Sequence, residues 1–90
     1  MSWQIEYTDT AKNQLGKLDK QTARRIVDYM DDRVLGLDDP RNTGKMLTGV
    51  FGGLWRYRIG DYRVICEIQD QALRVLVLRM GNRREVYRKR

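Results

Sequence analysis

The sequence predicts a single α+β domain over residues 1–90, and three patterns carry that expectation. Trp3, Ile5 and Tyr7 alternate with Gln4, Glu6 and Thr8, which is the period of a half-buried strand. Residues 9–34 repeat their apolar positions at helical spacing, interrupted once at Gly16-Lys17-Leu18-Asp19. Leu54–Ile59 and Tyr62–Ile68 then flank Gly60-Asp61, a pairing of strand-forming segments around a two-residue turn.

Each element has a local cause. Thr8 or Asp9 is suited to cap a first helix through about Lys17, with Ala11, Leu15 and Leu18 on one face. Asp19 is the N-cap of a second helix whose Ala23, Ile26 or Val27, Met30 and Val34 line one side. Gly36 stands where a glycine C-cap belongs, and the short junction between the helices predicts an antiparallel hairpin. Asp38-Asp39-Pro40-Arg41-Asn42 reads as a turn. From Asn42 to Gly53 the chain reads as loop, its glycines forming a turn into the next strand. No Gly-x-x-x-x-Gly-Lys-Ser/Thr phosphate loop is present.

A Gly-X hairpin of the II′ type sets Ile59 opposite Tyr62, Arg58 opposite Arg63, Tyr57 opposite Val64 and Arg56 opposite Ile65. Directly paired residues share a face, so Trp55, Tyr57, Ile59, Tyr62, Val64, Cys66 and Ile68 form the core side. Arg56, Arg58 and Arg63 fall together on the other. A third strand from about Ala72 to Met80, after an Asp70-Gln71 loop, sets Leu73 against Ile68, Val75 against Cys66 and Arg74 against Glu67. On that register Ile65, Leu76 and Leu78 share the arginine face.

The net charge of +6 is unevenly placed. Residues 1–53 hold eight Lys/Arg and eight Asp/Glu, whereas residues 54–90 hold ten against four. Cations gathered on strands point to a polyanionic partner, nucleic acid before membrane. No apolar run approaches the roughly 20 residues that span a bilayer, and no basic-then-apolar secretory segment opens the chain, so cytoplasmic residence is expected. The composition includes no histidine and one cysteine. That excludes Ser-His-Asp and Cys-His triads, paired-histidine ribonuclease chemistry, histidine-ligated metals and an internal disulfide. Cys66 alternates onto the core side and reads as an inert thiol. Asp31-Asp32 and Asp38-Asp39 do not converge, so no metal and no cofactor are expected.

Like charges crowded on one face call for an absent anion, and phosphate is the leading candidate. Gly81-Asn82-Arg83-Arg84-Glu85-Val86-Tyr87 is short enough to fold back over the sheet edge, bringing two further arginines and a tyrosine. Lacking histidine, the economical reaction on RNA is internal: the 2′-hydroxyl attacks the adjacent phosphorus, leaving a 2′,3′-cyclic phosphate and a 5′-hydroxyl. Guanidiniums offset the transition-state charge, and Tyr87 is the proton acceptor if cations lower its pKa from about 10; the alternatives are packing or base stacking. Arg84 is a further RNA-binding candidate, and Lys17, Lys20, Arg24 and Arg25 form a secondary phosphate-binding strip on the helices.

These residues resemble the RelE branch of the RelE/ParE toxin superfamily, the toxins of bacterial toxin–antitoxin pairs. The likeness spans the chain: the opening strand, the helical hairpin ending near Asp-Pro, Met46-Leu47-Thr48-Gly49 before W-R-Y-R-I, then D-Y-R-V-I and the closing M-G-N-R-R-E-V-Y. It implies a helical hairpin packed on a small antiparallel sheet and ribosome-dependent cleavage of mRNA in the decoding (A) site. Carried over by position, the active cluster falls on Arg56, Arg58, Arg63, Arg83 and Tyr87. Arg63 and Arg83 would hold the phosphate, and Tyr87 would orient or deprotonate the hydroxyl. Arg56 and Arg58 stand where the best-known members carry lysine, so electrostatic stabilisation suits them better than proton transfer.

The implied partners are the ribosome with mRNA in its A site and a RelB-like antitoxin, an acidic amphipathic segment lying over Ile65, Leu76 and Leu78. With three residues after Tyr87, where some relatives carry a C-terminal helix, displacement of such a helix is not expected. The rival readings are a ParE-like gyrase inhibitor on the same scaffold and a non-catalytic RNA-binding module.

Overall fold

The computed structural model describes residues 3–36, 39–49, 52–84 and 86. The chain order is β1 (Gln4–Tyr7), α1 (Asp9–Gly16), α2 (Lys20–Tyr29), β2 (Lys45–Met46), β3 (Trp55–Ile59), β4 (Tyr62–Gln69) and β5 (Arg74–Asn82). The five strands form one sheet in the order β1-β5-β4-β3-β2. Strands β2 to β5 pair antiparallel, and β1 adds parallel to β5 at the sheet edge. The fold class is the expected α+β arrangement, with a mixed rather than wholly antiparallel sheet.

Both helices begin at side-chain caps. Thr8 Oγ1 accepts the Ala11 amide at 3.1 Å, and Asp19 accepts the Thr22 amide at 3.2 Å. Helix α2 runs into one π-helical turn, Met30–Val34, closed by the Leu35 amide on the Met30 carbonyl at 3.0 Å. Gly36 is not the left-handed cap that its position suggested. Its backbone is not left-handed, and a Cβ there would stand 2.5 Å from the Asp32 carbonyl oxygen. The glycine is required by that approach.

The hairpin places Ala11, Ile26, Met30 and Val34 against Tyr57, Val64, Cys66, Val75, Val77 and Met80, all fully or almost fully buried. Side chains complete the ladder where β1 gives way to α1. Thr8 Oγ1 donates to the Leu78 carbonyl at 2.8 Å, and Gln14 Oε1 accepts the Met80 amide at 2.7 Å. These bonds satisfy backbone groups that the short edge strand does not reach.

The β3–β4 register matches the sequence expectation at all four pairs. Gly60 has φ of 59° and Asp61 is not left-handed, the signature of a II′ turn. The β4–β5 register does not match. Ile68 pairs with Val75, Cys66 with Val77, Glu67 with Leu76 and Gln69 with Arg74. The connection is a 3₁₀ turn over Asp70–Ala72 followed by left-handed Leu73 (φ 51°), two residues longer than the Asp70-Gln71 loop. Arg74 consequently reaches Glu6 at 3.5 Å and Gln69 at 2.6 Å rather than Glu67.

A bulge then interrupts the ladder, because Ile65 pairs with Arg79 while Cys66 pairs with Val77. Leu78 is its extra residue.

Strand β2 also went unread, within what looked like loop. Its loop is fastened by buried bonds: Tyr57 donates to the Pro40 carbonyl and Trp55 Nε1 to the Thr43 carbonyl, both at 2.8 Å. Arg41 grips Asp70 with two bonds of 2.8 Å, which holds the Asp70 carboxyl below its ordinary range. No helix among the described residues is long and apolar enough to cross a membrane.

Gly44 (φ 84°) would place a Cβ 2.5 Å from the Arg56 carbonyl oxygen and 2.6 Å from Trp55 Nε1. Gly44→Ala is therefore expected to destabilise the fold by about 1–3 kcal/mol in urea denaturation. Gly16→Ala, with nothing within 4 Å of the new carbon, should stabilise it by roughly 0.5 kcal/mol. Equal midpoints for the two variants would contradict this account of the loop.

Candidate functional site

The sheet face turned away from the helices carries the cations. Two adjacent rows cross it: Lys45, Arg56, Ile65 and Arg79 in one, Arg58, Arg63 and Gly81 in the next. Neither row contains a carboxylate. Arg79 was not among the sequence candidates, because strict alternation would put it in the core and Met80 outside. The bulge reverses that parity, burying Met80 and presenting Arg79. The signal was present in the spacing of Val75, Val77 and Met80, which shifts from two residues to three. Lys45 was missed because β2 was missed.

Ile65 is 0% exposed although it faces away from the main core. Its row neighbours are Arg56 and Arg79, long side chains of the kind whose stems can cover apolar surface. Ile65 is fully buried, and Leu78, half-buried, is the extra residue of the bulge. Of the three apolar positions proposed for the antitoxin segment, Leu76 lies half-buried opposite Glu67.

Arg63 is 6% exposed, and its Nη1 donates to the carbonyls of Gly60 and Tyr62, each at 3.2 Å. These bonds draw its guanidinium toward the β3–β4 turn. Past the end of β5, the exposed Arg83 and Arg84 line a cleft with Asn82 and Asp61 of that same turn. The Arg84 amide is held by Asn82 Oδ1 at 3.1 Å. Beyond them Val86, 3% exposed, folds back so that its amide bonds the Asn82 carbonyl at 3.0 Å. Val86 packs beside Gly81, where a Cβ would lie in ordinary contact, 3.7 Å from the Val86 Cβ. Val86 thus lies against the end of β5 beside Arg63's row. Tyr87 itself lies outside the described residues.

Arg56 and Arg58 line a different cleft, of about 220 Å³, with Tyr29, Thr43, Gly44 and Lys45 at the edge of β3. The arginines read from sequence as one cluster therefore address two places, the turn and the edge, with Arg63 in register between them. Nor do the helical cations form one strip. Lys20 and Arg24 border one depression with Gln21, whereas Lys17 borders another with Tyr62 and Gly81. Arg25 crosses to the turn, where its Nη2 would stand 3.2 Å from a Cβ at Gly60.

Proton chemistry has few candidates here. Burial raises the Tyr57 hydroxyl above its ordinary range while it donates to Pro40. Tyr7 is pushed up to about 12 by burial first, with Asp31 and Cys66 adding to the effect. Burial also raises Cys66, and no group of three or more His, Cys, Asp or Glu among the described residues is placed to hold a metal ion. What the site does offer is concentrated, fixed positive charge.

Comparison with known proteins gives this charge a setting. Residues 5–87 match the family model described as the ParE toxin of the type II toxin–antitoxin system parDE. Toxin RelE of Mycobacterium tuberculosis is 31% identical over 86 residues, covering 96% of this chain and 87% of that protein. Toxin RelG of the same organism is 28% identical, with 99% and 100% covered. Among solved structures, the toxin–antitoxin complex RelBE2 from M. tuberculosis superposes with a TM-score of 0.82 at 26% identity, covering 92% of this chain and 93% of that one.

The thiol supplies a direct check on the chemistry excluded here. Cys66 should react with an aromatic disulfide reagent only as fast as the native protein opens, and immediately once unfolded in urea. Rapid labelling of the native protein would restore it as a candidate nucleophile.

Proposed function

Because the chain belongs to the RelE/ParE family of type II toxin–antitoxin toxins, we propose that it is a metal-independent endoribonuclease that cuts mRNA in the ribosomal A site and so stops translation. The observation that carries the reading is the pair of cationic rows on the uncovered sheet face. Arg56, Arg58, Arg63 and Arg79 are gathered there with no carboxylate in either row among the described residues, and Arg58 and Arg63 stand directly opposite each other. A phosphodiester entering that field relieves the repulsion, and its charge grows as the 2′-hydroxyl attacks phosphorus. Charge stabilisation that strengthens along the reaction is what lowers a barrier.

In this mechanism Arg63 and Arg83 approach the scissile phosphate from the turn end of the sheet. Arginine stays ionised and its planar fork matches phosphate oxygens, so these groups stabilise rather than exchange protons. Tyr87, which follows the returning Val86, accepts the proton of the 2′-hydroxyl or orients it. The P–O5′ bond breaks, O5′ takes a proton from solvent water and leaves as a 5′-hydroxyl, and the 2′,3′-cyclic phosphate stays on the upstream fragment. A RelB-like antitoxin is the partner that silences the toxin, consistent with the toxin–antitoxin complex among its structural relatives.

The family model also carries the ParE description, which keeps gyrase poisoning as a second reading. Purified, antitoxin-free protein added to ribosomes stalled on a defined A-site codon separates the two. Cleavage within that codon, absent from free mRNA, is expected, with products ending in a 2′,3′-cyclic phosphate and a 5′-hydroxyl. Arg63→Ala and Arg83→Ala should each slow it about 10²–10³-fold while melting as folded proteins. Intact mRNA combined with inhibition of DNA gyrase would replace the ribonuclease reading with the second.

A further inference from the structure

A cleft of about 210 Å³ lies at the same end of the sheet as the β3–β4 turn, but on the side of the helices. It follows from the shortness of β1. That strand ends at Tyr7, paired with Val77, so the last residues of β5 have no strand beside them on that edge. Helix α1 takes the strand's place with side chains, and Gln14 Oε1 accepts the Met80 amide at 2.7 Å. Past that bond the helix stops at Gly16 and leaves a gap. Gln14, Lys17 and Leu18 wall it from the end of α1, and Tyr62, Met80 and Asn82 wall it from the sheet.

The lining combines apolar walls with polar groups already sorted by the backbone. Leu18 and Tyr62 are half-buried against the core, and Met80 belongs to it. An amide hydrogen is accepted by oxygen, so the Met80 bond settles which end of the Gln14 carboxamide is which. With that oxygen committed, what Gln14 can offer a ligand is Nε2, a donor. Asn82 Oδ1 is engaged in the same way, by the Arg84 amide at 3.1 Å. Lys17 is exposed and can only donate. Among the described residues lining the cleft, none is a carboxylate.

We infer that this cleft binds a single unstacked nucleobase and that the base it prefers is guanine. Its volume is below the roughly 300–1,000 Å³ typical of pockets for larger organic ligands, and a flat heteroaromatic ring suits walls of tyrosine, leucine and methionine. A carboxamide with both ends available reads adenine, donating to N7 and accepting from N6. Gln14 has no oxygen left to accept with. Its donors match guanine, whose O6 and N7 are adjacent acceptors, and meet the adenine amino group donor against donor. Lys17 pairs with the phosphate of the same nucleotide. The site is distinct from the cationic face, because Tyr62 and Met80 point to the opposite side of the sheet from Arg63 and Arg79. It meets the turn cleft at Asn82, so a strand lying along Arg83 and Arg84 passes beside it. Only which RNA supplies the base, the message or the ribosome, rests on the ribonuclease reading.

The probes are guanosine and adenosine 5′-monophosphates, which hold no internucleotide linkage to cut. Each is titrated while the amides of Gln14, Lys17, Leu18 and Gly81 are followed by nuclear magnetic resonance, with inorganic phosphate as the control for charge. Shifts confined to these amides are expected, with affinity about fivefold tighter for the guanine nucleotide and no such shifts with phosphate. Gln14→Glu keeps an oxygen for the Met80 amide and replaces the two N–H donors with an acceptor. Its added charge weakens both nucleotides alike, so their ratio reports the base, and the guanine preference should vanish or reverse. Hydrogen exchange at the Met80 amide as slow as in the wild type shows that the structural bond is kept. Lys17→Gln, at an exposed position, should weaken both nucleotides several-fold at an unchanged ratio, and it decides the matter if Gln14→Glu does not fold. Equal affinity for the two nucleotides, a guanine preference retained by Gln14→Glu, or the same shifts with phosphate alone would overturn the proposal. On ribosomes, a changed codon preference in Gln14→Glu identifies the message as the source of the base. An unchanged preference with weaker binding to message-free ribosomes identifies ribosomal RNA. Intact mRNA would remove the ribonuclease reading and leave the nucleotide titration standing.

Discussion

The pairing of Arg58 against Arg63 across the β3–β4 ladder is the constraint around which this molecule is organised. Two like charges set directly opposite destabilise a hairpin by a few tenths of a kcal/mol to about 1 kcal/mol. The register that imposes this also turns Tyr57, Ile59, Val64 and Cys66 toward the helical hairpin, where all are buried. Sliding the ladder by one residue would relieve the charges and expose that core. Burial of those side chains outweighs the repulsion several-fold. The cationic face is therefore held in place by the apolar one, and no local adjustment separates them.

The rest of the architecture extends that face. The bulge at Leu78 brings Arg79 into the row of Arg56 while returning Met80 to the core. Thr8 and Gln14 then satisfy the backbone of β5 beyond the last residue of β1, so the bulge leaves no stranded carbonyl at Leu78 and no stranded amide at Met80. At the far end Val86 packs beside Gly81, the residue paired with Arg63. Each device is small. Together they place cations from the turn to the outer edge without a carboxylate in either row.

What could be read from the sequence follows from how locally each feature is determined. Gly60-Asp61 specifies its own turn type, so the first hairpin register was legible to the residue. Asp19 announced its helix for the same reason, and of the two caps the sequence offered for the first helix, Thr8 or Asp9, the structure uses Thr8. The second hairpin was not legible, because its turn uses a left-handed leucine, Leu73, where alternation and turn chemistry offered Asp70-Gln71. That error alone preserved the faces; the bulge then reversed them beyond Leu78. Strand β2 depends on Gly44 and on bonds from Tyr57 and Trp55 to residues 40 and 43, contacts that exist only after the sheet has formed. The arginine cluster was correctly assigned to one face at Arg56, Arg58 and Arg63. Its division between turn and edge follows from Arg63 bending toward Gly60 and from the loop that walls the edge.

On this account the protein contributes charge and fixed geometry, while the substrate contributes the nucleophile. That division is open to a direct measurement. An mRNA carrying a single 2′-deoxynucleotide at the cleaved position of the A-site codon is placed on stalled ribosomes with the wild-type protein. The account predicts that cleavage at that linkage disappears, with the all-ribose message cut normally in the same preparation. Cleavage persisting at the deoxy linkage, leaving a 5′-phosphate, would contradict it, because the attacking oxygen would then have come from water.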